Sequence, residues 1–568
     1  MGTIPTETTR TGDAPNRREQ LQTRRTSLPS VRMNPPPPEV APGGGPLSNA
    51  VATAAVSHGD RPAVCTATTT TTWAEVDRAA TNLLAPLAAL GVRSGDTVAL
   101  SMHSGPRWLV AATAVNRLGA TIAGISPVLP ATQRAELTDL VDPVLVLAEE
   151  DLVDGLPLRR AVAVFSADGL GLDGPTPPEE AGVTAPEKSG VTPPEEARVT
   201  APEEAGGNRT PRADLGVERA PYAICFTSGT TGRPRAAVFE ASAAEAVLRI
   251  DLGPEPPVGA GGHIISSTQF AHVGFVLKAP GHALLGSTIH VMDRWSATGA
   301  IELAERHRMS TLGVVAPQIA LMLRSPAMAT ADLSALRTVI AGGAPSPEAL
   351  VGEVRRRLGV TYSIRWSSTE SGGVGLAADV DDDHPDAVGT IGTPRPGVDA
   401  RVADPEGVVL DAGEVGELQI RSDAVMSGYR GDLDATAGAF TPDGWLRTGD
   451  LARVRPDGRF VLAGRRSEMF IRGGYNVHPQ EVEAVLGTHV AVGQVALVPR
   501  DHDVLGQVGV AVVVPAADRR PPTLEELRRH AGDRLARHQL PEDLVVRGSL
   551  PMTAGGKLDR RRLADEVR

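Results

Sequence analysis

The sequence predicts an α/β protein in which helices cover sheets built from short apolar strands. From about residue 48, amphipathic segments alternate with brief Val-, Ala- and Leu-rich runs, as in AEVDRAATNLLAPLAALGV followed by DTVALSM. The chain has 568 residues, a length that corresponds to roughly three or four domain-sized units. Residues 467–568 have strand and helix signals of their own, including VGQVALV, GVAVVVP and LEELRRHAGDRLARHQL.

Four segments with different compositions divide the chain. Residues 1–47 lack periodic apolar positions and end in PPPPEVAPGGGP, which predicts a disordered arm. Residues 48–466 are expected to form a large N-terminal domain. Within it, residues 174–215 contain four Pro- and Glu-rich units such as TPPEEAGV, which predict a disordered surface insertion. Residues 467–568 are expected to form a small C-terminal domain.

The composition favours an intracellular enzyme. The chain carries 56 Lys and Arg against 68 Asp and Glu, a net charge of −12, which argues against binding to nucleic acid or to an anionic membrane. The two cysteines cannot form a disulfide framework, and no apolar run approaches the ~18 residues of a membrane span. The 13 histidines show no metal-ligand spacing. We expect a cytoplasmic monomer or homodimer that acts on a small molecule.

A loop rich in hydroxyls and glycines follows the apolar run YAICF. It comprises Thr227, Ser228, Gly229, Thr230, Thr231 and Gly232, and Arg235 follows shortly after. Glycines allow backbone N–H groups to approach a ligand, hydroxyls donate further hydrogen bonds and guanidinium groups neutralise charge, which together suit a polyphosphate. The Gly-Lys-Ser/Thr ending of the Walker A motif is missing. Taken alone, the loop is equally compatible with an ordinary turn between strands.

Further blocks accompany this loop in a fixed order. After FTSGTTGRPRAAV come QFAHVGF, AGGAP, WSSTE, GELQIRS, DGWLRTGDLA, GRRSEMFIRGGYNVHPQEVE and PMTAGGKLDRRRL. In this order they resemble the adenylate-forming (AMP-binding) superfamily, which includes acyl-CoA synthetases, luciferases and peptide-synthetase adenylation domains. The resemblance covers residues 48–568 apart from the repeats, and RGGYNVHPQEVE is most similar to the acid–CoA ligase branch. It implies a large multi-subdomain α/β domain followed by a small mobile α+β domain.

The resemblance also implies roles for individual residues. The threonine-rich loop would hold the β- and γ-phosphates of ATP, Thr369 would contact the α-phosphate, and Glu370 would bind Mg²⁺. Asp450 would accept hydrogen bonds from both ribose hydroxyls, with Arg465 nearby. The other expected nucleotide contacts are Gly342, Gly343, Ala344, Ser368 and Trp366, the last of which would stack on adenine where the family usually has Tyr.

Lys557 is the first candidate for catalysis. Adenylation joins two anions, a carboxylate and a phosphate, and a compact ammonium on a flexible stem can contact both in the transition state. The chain has only three lysines, Lys188, Lys278 and Lys557, against 53 arginines. A lysine within PMTAGGKLDRRRL therefore indicates a requirement for that side chain rather than for charge alone.

The family alternates between two orientations of the small domain, and the resemblance implies the same here. Rotation would move Lys557 out and bring the loop of Arg472, Gly473 and Gly474 towards the acyl-adenylate and coenzyme A. Ser467 stands at the hinge position, where the family usually has Asp or Lys. Arg235 likewise stands where the family has Lys.

The acyl pocket is expected around the segment HVGFVLKAPGHALLG. The residue that matches His272 caps this pocket in the family, and Gly274, Lys278 and Gly372 are the other expected pocket residues. If the segment is helical, Gly274 and Lys278 lie on one face, and the ammonium could pair with a second polar group of a functionalised acid. A lysine that extends from a helix end to solvent is an alternative.

The sequence thus predicts an AMP-forming acid–thiol ligase that uses ATP, Mg²⁺ and coenzyme A on a functionalised acid of specialised metabolism. Two other possibilities remain open. The acyl group could pass to an amine or a carrier protein, or the substrate could be an inorganic oxyanion such as nitrite. A pseudoenzyme scaffold is a third, but the presence of Glu370, Asp450 and Lys557 disfavours it.

Overall fold

The computed structural model describes residues 44–154, 156, 161–165, 172–173, 221–227, 234–381, 383–552 and 558–567. Most of the predicted arm and the entire predicted insertion therefore lie outside the described residues. The helices are α1 (Pro46–His58), α2 (Trp73–Ala89), α3 (Pro106–Arg117), α4 (Ala131–Val141), α5 (Ala241–Leu252), α6 (Val273–Val276), α7 (Ala279–Leu285), α8 (Ala297–Arg306), α9 (Ala316–Arg324), α10 (Glu348–Leu358), α11 (Leu433–Ala439), α12 (Pro479–Leu486), α13 (Leu524–Ala531) and α14 (Arg560–Glu566). Short 3₁₀ turns lie at Glu150–Leu152, Pro326–Ala329, Pro385–Ala387 and Arg537–Gln539.

The strands alternate with these helices along most of the chain. In the first half they are β1 (Pro62–Cys65), β2 (Thr70–Thr72), β3 (Thr97–Ser101), β4 (Thr121–Ile125), β5 (Leu145–Glu149), β6 (Ala161–Phe165), β7 (Leu172–Asp173), β8 (Ala223–Thr227), β9 (Arg235–Phe239), β10 (His263–Ile265), β11 (Thr288–His290), β12 (Thr311–Val314) and β13 (Thr338–Gly342). In the second half they are β14 (Thr361–Trp366), β15 (Leu376–Val380), β16 (Thr393–Pro394), β17 (Asp399–Ala403), β18 (Gly416–Arg421), β19 (Gly428–Tyr429), β20 (Leu446–Val454), β21 (Phe460–Arg465), β22 (Phe470–Arg472), β23 (Tyr475–Val477), β24 (Val492–His502), β25 (Gly506–Pro515) and β26 (Asp543–Val546).

The described strands form five sheets. An eight-stranded sheet has the order β19-β9-β8-β4-β3-β5-β6-β7, and its inner strands β4, β3 and β5 are parallel. A five-stranded sheet has the order β12-β13-β14-β15-β16, and two four-stranded sheets have the orders β10-β11-β1-β2 and β17-β18-β20-β21. The fifth sheet contains β23-β22-β25-β24 with β26 beside β25. The prediction of an α/β protein is confirmed.

Local sequence signals account for several of these elements. The strands β3 and β4, TVALS and TIAGI, are buried along their whole length, as expected for apolar runs in a parallel sheet. Helix α2 begins with a capping box, in which the Thr72 side chain accepts from the Glu75 N–H and the Glu75 carboxylate accepts from the Thr72 N–H. Thr523 and Glu526 form the same motif at the start of α13.

The N-terminal boundary differs from the prediction by two residues. Helix α1 begins at Pro46, and Leu47 is fully buried in the largest apolar cluster of the described chain. The N–H of Ser48 donates to Asn116 Oδ1 at 3.0 Å, which ties α1 to the end of α3. Helix α1 thus begins two residues before the predicted start of the N-terminal domain, because a proline at the first position of a helix resembles the Pro- and Gly-rich tail in sequence.

The C-terminal elements have an apolar core of their own. Phe470, Val482 and Leu486 pack with Leu497 and Leu527 in a cluster confined to the fifth sheet and its helices. None of the described helices combines the length and the apolar character that crossing a lipid bilayer would require.

Candidate active site

The nucleotide residues predicted from the sequence gather at the ends of neighbouring strands. Gly342 ends β13 and pairs with Arg365 of the parallel strand β14, which ends one residue later at Trp366. Gly343 follows with a φ of +74°, a conformation that suits glycine. Ligands of α/β proteins bind at the carboxyl ends of parallel strands. The predicted adenine residues Gly342–Ala344 and Trp366 thus lie at a suitable edge.

Trp366 and Asp450 are joined directly. The indole N–H donates to Asp450 Oδ2 at 2.9 Å, and both residues are 6% exposed. Arg465, the strand partner of Asp450 in the β20–β21 pair, places its Nε 2.8 Å from Oδ1. That N–H is not aligned with Oδ1, which is a buried oxygen without a hydrogen bond in the described chain. An acceptor of this kind fits a ligand hydroxyl.

Burial has a further effect on Asp450. It raises the pKa of this carboxyl above its usual value, while the Arg465 guanidinium and the Trp366 N–H oppose the rise. The Glu370 charge contributes to the raised pKa as well, so the two carboxylates interact electrostatically.

The indole of Trp366 is more enclosed than the adenine prediction implied. A Cβ on Gly375 would lie 2.8 Å from the indole Cε3 and 2.6 Å from the Trp366 carbonyl oxygen. One face of the ring therefore packs directly on Gly375. In this structure the ring supports Asp450, and adenine stacking on Trp366 stays a prediction.

Thr227 and Arg235 flank the predicted phosphate loop. They are Cα partners at the ends of the antiparallel strands β8 and β9, so the chain leaves and returns at the same place. Arg235 lies 5.2 Å from the centre of the Tyr429 ring and 4.0 Å from Asp432 Oδ2. Residues 228–232, which complete the predicted loop, lie outside the described residues.

Glu370 receives a hydrogen bond that the sequence did not indicate. The Tyr429 hydroxyl donates to Glu370 Oε1 at 3.0 Å, and the Met426 N–H donates to the Glu370 carbonyl at 2.9 Å. Burial, the Glu370 charge and this hydrogen bond all raise the pKa of Tyr429, so its hydroxyl remains a donor at neutral pH. No ion pair joins Glu370 to an Arg or Lys of the described residues, which leaves its carboxylate able to bind a hard cation.

Glu370 lies in a turn of residues 368–371 that is held by the hydroxyls of Ser368 and Ser371. The Ser371 hydroxyl accepts from the Ser368 N–H at 2.9 Å, and the Ser368 hydroxyl accepts from the Ser371 N–H at 3.1 Å. Thr369 lies between them, and its carbonyl accepts from the Gly372 N–H at 3.0 Å. The turn therefore fixes the direction in which Thr369 and Glu370 leave the sheet.

The expected acyl-pocket residues differ from one another in their surroundings. His272 is exposed and caps α6, with Nδ1 accepting from the Gly274 N–H at 3.4 Å. A Cβ on Gly274 would meet only Thr268 Oγ1 and His272 Nδ1, at 3.7 and 3.8 Å. A Cβ on Gly372 would lie 2.2 Å from the Ala424 carbonyl oxygen. Gly274 leaves space, whereas Gly372 allows two backbone segments to approach closely.

Lys278 has an internal partner. Its Nζ lies 3.0 Å from Asp251 Oδ2, and Arg395 donates to the other oxygen of the same carboxylate at 2.5 Å. The segment is also not one continuous helix, because α6 ends at Val276 and Lys278 is the residue before α7. Leu277 and Lys278 keep helical dihedral angles between the two helices, so a shared face of Gly274 and Lys278 stays a prediction. The Lys278 ammonium neutralises Asp251 instead of standing unpaired.

Most of the site residues predicted in the C-terminal domain lie among the described residues. Arg472 ends β22 and Gly473 and Gly474 form the turn to β23, with φ values of +55° and +88°. Arg472 Nε donates to Glu542 Oε1 at 2.5 Å. Ser467 lies in an exposed turn between β21 and β22, as suits a hinge. Lys557 lies outside the described residues, so its proposed role stays a prediction.

Two residues that contact the predicted site residues were not identified from the sequence. Tyr429 belongs to no motif used above, and its one signal was the rarity of tyrosine, with 4 in the chain. Asp251 lies near the end of α5, before a Gly- and Pro-rich loop, and belongs to no motif used above. Both contacts join residues remote in sequence, so no local pattern could have indicated them.

The chain is similar to known proteins over most of its length. Residues 51–430 match the model of the AMP-binding enzyme family, and residues 481–557 match that of the AMP-binding enzyme C-terminal domain. The indoleacetate–CoA ligase of Aromatoleum aromaticum is 34% identical over 365 residues, which cover 64% of this chain and 69% of the relative. The 4-coumarate–CoA ligase 2 of Oryza sativa subsp. japonica is 28% identical over 516 residues, 89% of each chain.

A solved structure extends the likeness to the fold. The amide bond synthetase McbA from Marinactinospora thermotolerans superposes with a TM-score of 0.75 at 24% identity, covering 92% of this chain and all of that one. At this identity the likeness concerns the arrangement of the elements and not the reaction.

Proposed function

The chain belongs to the AMP-binding enzyme family and is an AMP-forming ligase of the acyl-CoA synthetase type, and from this premise we propose that it activates an organic acid as an acyl-adenylate and transfers the acyl group to coenzyme A. The observation that carries the proposal is the joining of two groups of predicted residues. Glu370 with Tyr429 stands beside the hairpin of the phosphate loop, and Asp450 with Trp366 stands beside the ends of β13 and β14. Glu370 follows Trp366 closely along the chain, and Trp366 donates to Asp450, so both groups suit a single nucleotide.

The first half-reaction would form a mixed anhydride. A carboxylate oxygen of the acid attacks the α-phosphorus of ATP, and the bond from that phosphorus to the bridging oxygen breaks, releasing pyrophosphate. Lys557 would contact the attacking carboxylate and the α-phosphate, and Thr369 would contact the α-phosphate. Arg235, at the mouth of the hairpin, would balance charge on the leaving pyrophosphate.

Glu370 is the proposed protein ligand for Mg²⁺. Its carboxylate supplies the hard oxygen donor that this ion prefers, and the Tyr429 hydroxyl fixes its orientation from the side. When bound, the ion would neutralise charge on the phosphates.

The second half-reaction would transfer the acyl group. The sulfur of coenzyme A attacks the acyl carbon, the carbon–oxygen bond to AMP breaks, and the thiol proton leaves to solvent. The positive-φ turn of Gly473 and Gly474 offers little steric bulk to a pantetheine arm. This supports a role in thioester formation, with rotation of the C-terminal elements about Ser467.

The proposed substrates are acids with a ring in the tail. The two curated relatives described above are named for indoleacetate and 4-coumarate, both ring-bearing carboxylates. The space beside Gly274 supports a pocket that admits such a ring. Because Lys278 already pairs with Asp251, we do not assign it to a charged group on the acid.

The test is pyrophosphate release with and without coenzyme A. The protein is mixed with ATP, Mg²⁺ and a panel of indoleacetate, 4-coumarate, unbranched alkanoates and nitrite, and products are identified by mass spectrometry. We expect an acyl-adenylate from a ring-bearing acid without coenzyme A and the thioester when coenzyme A is added. Turnover to an amide with an added amine, but no thioester, would contradict the proposed acceptor, and turnover of nitrite alone would contradict the proposed substrate class.

A variant separates the catalytic step from binding. Lys557→Ala should lower adenylate formation by at least about a hundredfold, as for loss of a charge-stabilising group, yet retain acyl transfer from an added acyl-adenylate to coenzyme A. Lys188→Ala, in the predicted insertion, is the matched control and should leave both steps unchanged. Equal adenylate formation by Lys557→Ala and the parent would exclude the proposed role.

A further inference from the structure

Three histidines from separate elements meet away from the nucleotide residues. His263 begins β10, His290 ends β11, and His307 directly follows α8. The strands β10 and β11 pair in parallel, with His263 opposite Thr288 and Ile265 opposite His290. His263 and His290 therefore point to the same face of their sheet, because alternate residues of a strand share a face.

The imidazole nitrogens face one another at short distances. His263 Nδ1 lies 2.9 Å from His290 Nε2, and one nitrogen from each of the three rings lies within 4.8 Å of the others. The His307 ring lies over both partners, with centroid distances of 4.2 Å to His263 and 4.4 Å to His290. The three rings stack on one another, so the side chains must rotate before their nitrogens can bind one ion.

The rings are suited to bind as neutral ligands. His290 is 5% exposed, and such burial disfavours the charged imidazolium form. Neutral imidazole has a free lone pair, which is the form that binds metals. Arg306 lies beside His307 and adds positive charge, so only an ion with strong affinity for nitrogen donors would bind here.

We propose that His263, His290 and His307 form a site for a transition-metal ion such as Zn²⁺. The three donors are nitrogens, which suit Zn²⁺, Ni²⁺ and Cu²⁺, whereas Mg²⁺ prefers oxygen donors. Three protein ligands leave a position for water or another donor. In the metal-free protein, one of the two nitrogens 2.9 Å apart carries a proton, and metal binding requires that proton to move to the other nitrogen of its own ring.

The surroundings of the three histidines allow an ion to enter and suggest what a bound ion would stabilise. His263 borders a surface depression that Arg61, Gly261 and Gly262 also line, so an ion can reach it from solvent. The sheet of β10 and β11 packs against the large apolar cluster, whereas α8 packs in the cluster around β12–β14. A bound ion would thus link two parts of the N-terminal elements and stabilise their contact.

The experiment measures Zn²⁺ binding to the full chain, free of purification tags and treated with EDTA. Zn²⁺ is titrated against a chromophoric chelator in excess Mg²⁺, and Co²⁺ is used for its visible absorption. We expect one Zn²⁺ per chain, a Co²⁺ spectrum typical of nitrogen donors, and a rise in melting temperature with Zn²⁺. His263→Gln and His307→Gln should each weaken binding by at least about tenfold.

The second described cluster of possible ligands is the matched control. His103 Nε2 lies 2.8 Å from Asp151 Oδ2, with Glu149 nearby. His103→Gln should bind Zn²⁺ as the parent does. Loss of binding in His103→Gln, or unchanged binding in the double variant of His263→Gln and His307→Gln, would overturn the proposal. Melting temperatures in EDTA, compared with the parent, show that each variant is folded.

Discussion

At the level of single residues, the hydroxyl of Tyr429 donates to the carboxylate proposed to bind Mg²⁺, and the Arg235 side chain lies beside the Tyr429 ring. A hydrogen bond to a charged group is worth ~1.5–3 kcal/mol. We expect Tyr429→Phe to raise the Mg²⁺ concentration that half-saturates pyrophosphate release by about tenfold, because Glu370 loses the contact that orients it. Measurement of pyrophosphate release against Mg²⁺ at saturating ATP tests this.

Tyr222 provides the control for that variant. Its buried hydroxyl donates to the Val276 carbonyl at 2.8 Å and not to a carboxylate. Tyr222→Phe should lower the melting temperature without changing the Mg²⁺ dependence. An identical Mg²⁺ dependence for Tyr429→Phe and the parent would exclude a role for this hydroxyl in the metal site.

The contact between Trp366 and Asp450 leads to a prediction about pH. Burial raises the pKa of Asp450, and the indole N–H opposes the rise. Removal of that donor in Trp366→Phe should raise the pKa further, so the carboxylate needs a higher pH to ionise. We expect the acidic limb of kcat/KM for ATP to move to higher pH, as measured by a pH profile of pyrophosphate release.

Trp445→Phe is the matched control. Its ring lies between Arg401 and Arg421, at 4.4 and 4.6 Å, and has no contact with Asp450. This variant should be less stable but keep the parental acidic limb. A shift of the same size in both variants would mean that the pH dependence arises elsewhere.

At the level of elements, Gly274 and Gly372 look alike in sequence but occupy different environments. Alanine is favoured over glycine inside a helix by ~1 kcal/mol, and a Cβ on Gly274 of α6 meets no atom closer than 3.7 Å. We expect Gly274→Ala to keep the melting temperature and to reduce turnover of the bulkiest acids relative to small ones.

Gly372→Ala should instead destabilise the fold. Its φ of +74° is unfavourable for alanine, and the new methyl group would lie 2.2 Å from the Ala424 carbonyl oxygen. A loss of at least ~2 kcal/mol in unfolding free energy is expected from such a clash. Chemical denaturation of Gly274→Ala and Gly372→Ala measures both free energies of unfolding. Equal values for the two variants would contradict the different environments of these glycines.

The network of Lys278, Asp251 and Arg395 links the end of α5 to the α6–α7 junction and to the loop after β16. Burial raises the pKa of Asp251, but the two cations outweigh it and lower the pKa overall. A lowered pKa gives stability above the unfolded value of ~4, and this stability is lost as the pH falls through the folded value. Asp251→Asn should cost about 2 kcal/mol at pH 7, with a smaller difference in acid.

Lys278→Met is the companion variant for this network. It leaves Asp251 paired with Arg395, so it should cost less than Asp251→Asn in denaturant unfolding at pH 7. It should also leave the preference among acids unchanged. A change of acid preference in a variant of normal stability would restore Lys278 as a substrate-binding residue.

At the level of the whole molecule, a charged contact is among those that join the C-terminal elements to the preceding sheets. Arg453 of β20 donates to Glu481 of α12 at 3.2 Å. If these elements rotate between half-reactions, this contact exists in one orientation. Arg453→Met should therefore change the rates of adenylation and thioester formation in opposite directions, measured separately by rapid quench.

Arg500→Met is the control for rotation. Arg500 pairs with Asp543 at 2.7 Å inside the C-terminal elements, so the pair moves as one unit. This variant should leave the ratio of the two rates unchanged. Equal effects of Arg453→Met and Arg500→Met on that ratio would contradict control by the Arg453–Glu481 contact.

Local sequence patterns indicate some features of this fold and leave others open. The apolar runs TVALS and TIAGI indicated parallel strands because burial on both faces leaves a continuous apolar pattern. Pro46 was misjudged because prolines occur in tails and at helix starts alike. The environments of Gly274 and Gly372 could not be told apart, since they depend on which backbone lies opposite.

The sequence by itself determined the α/β class and the family, because helix patterns, strand patterns and motif blocks consist of residues that are adjacent in the chain. Only the tertiary structure decided that Tyr429 orients Glu370, that Lys278 neutralises Asp251, and that three histidines without ligand spacing meet at one point. The physical reason is that such contacts depend on how elements pack against one another, and packing joins residues whose separation along the chain carries no signal.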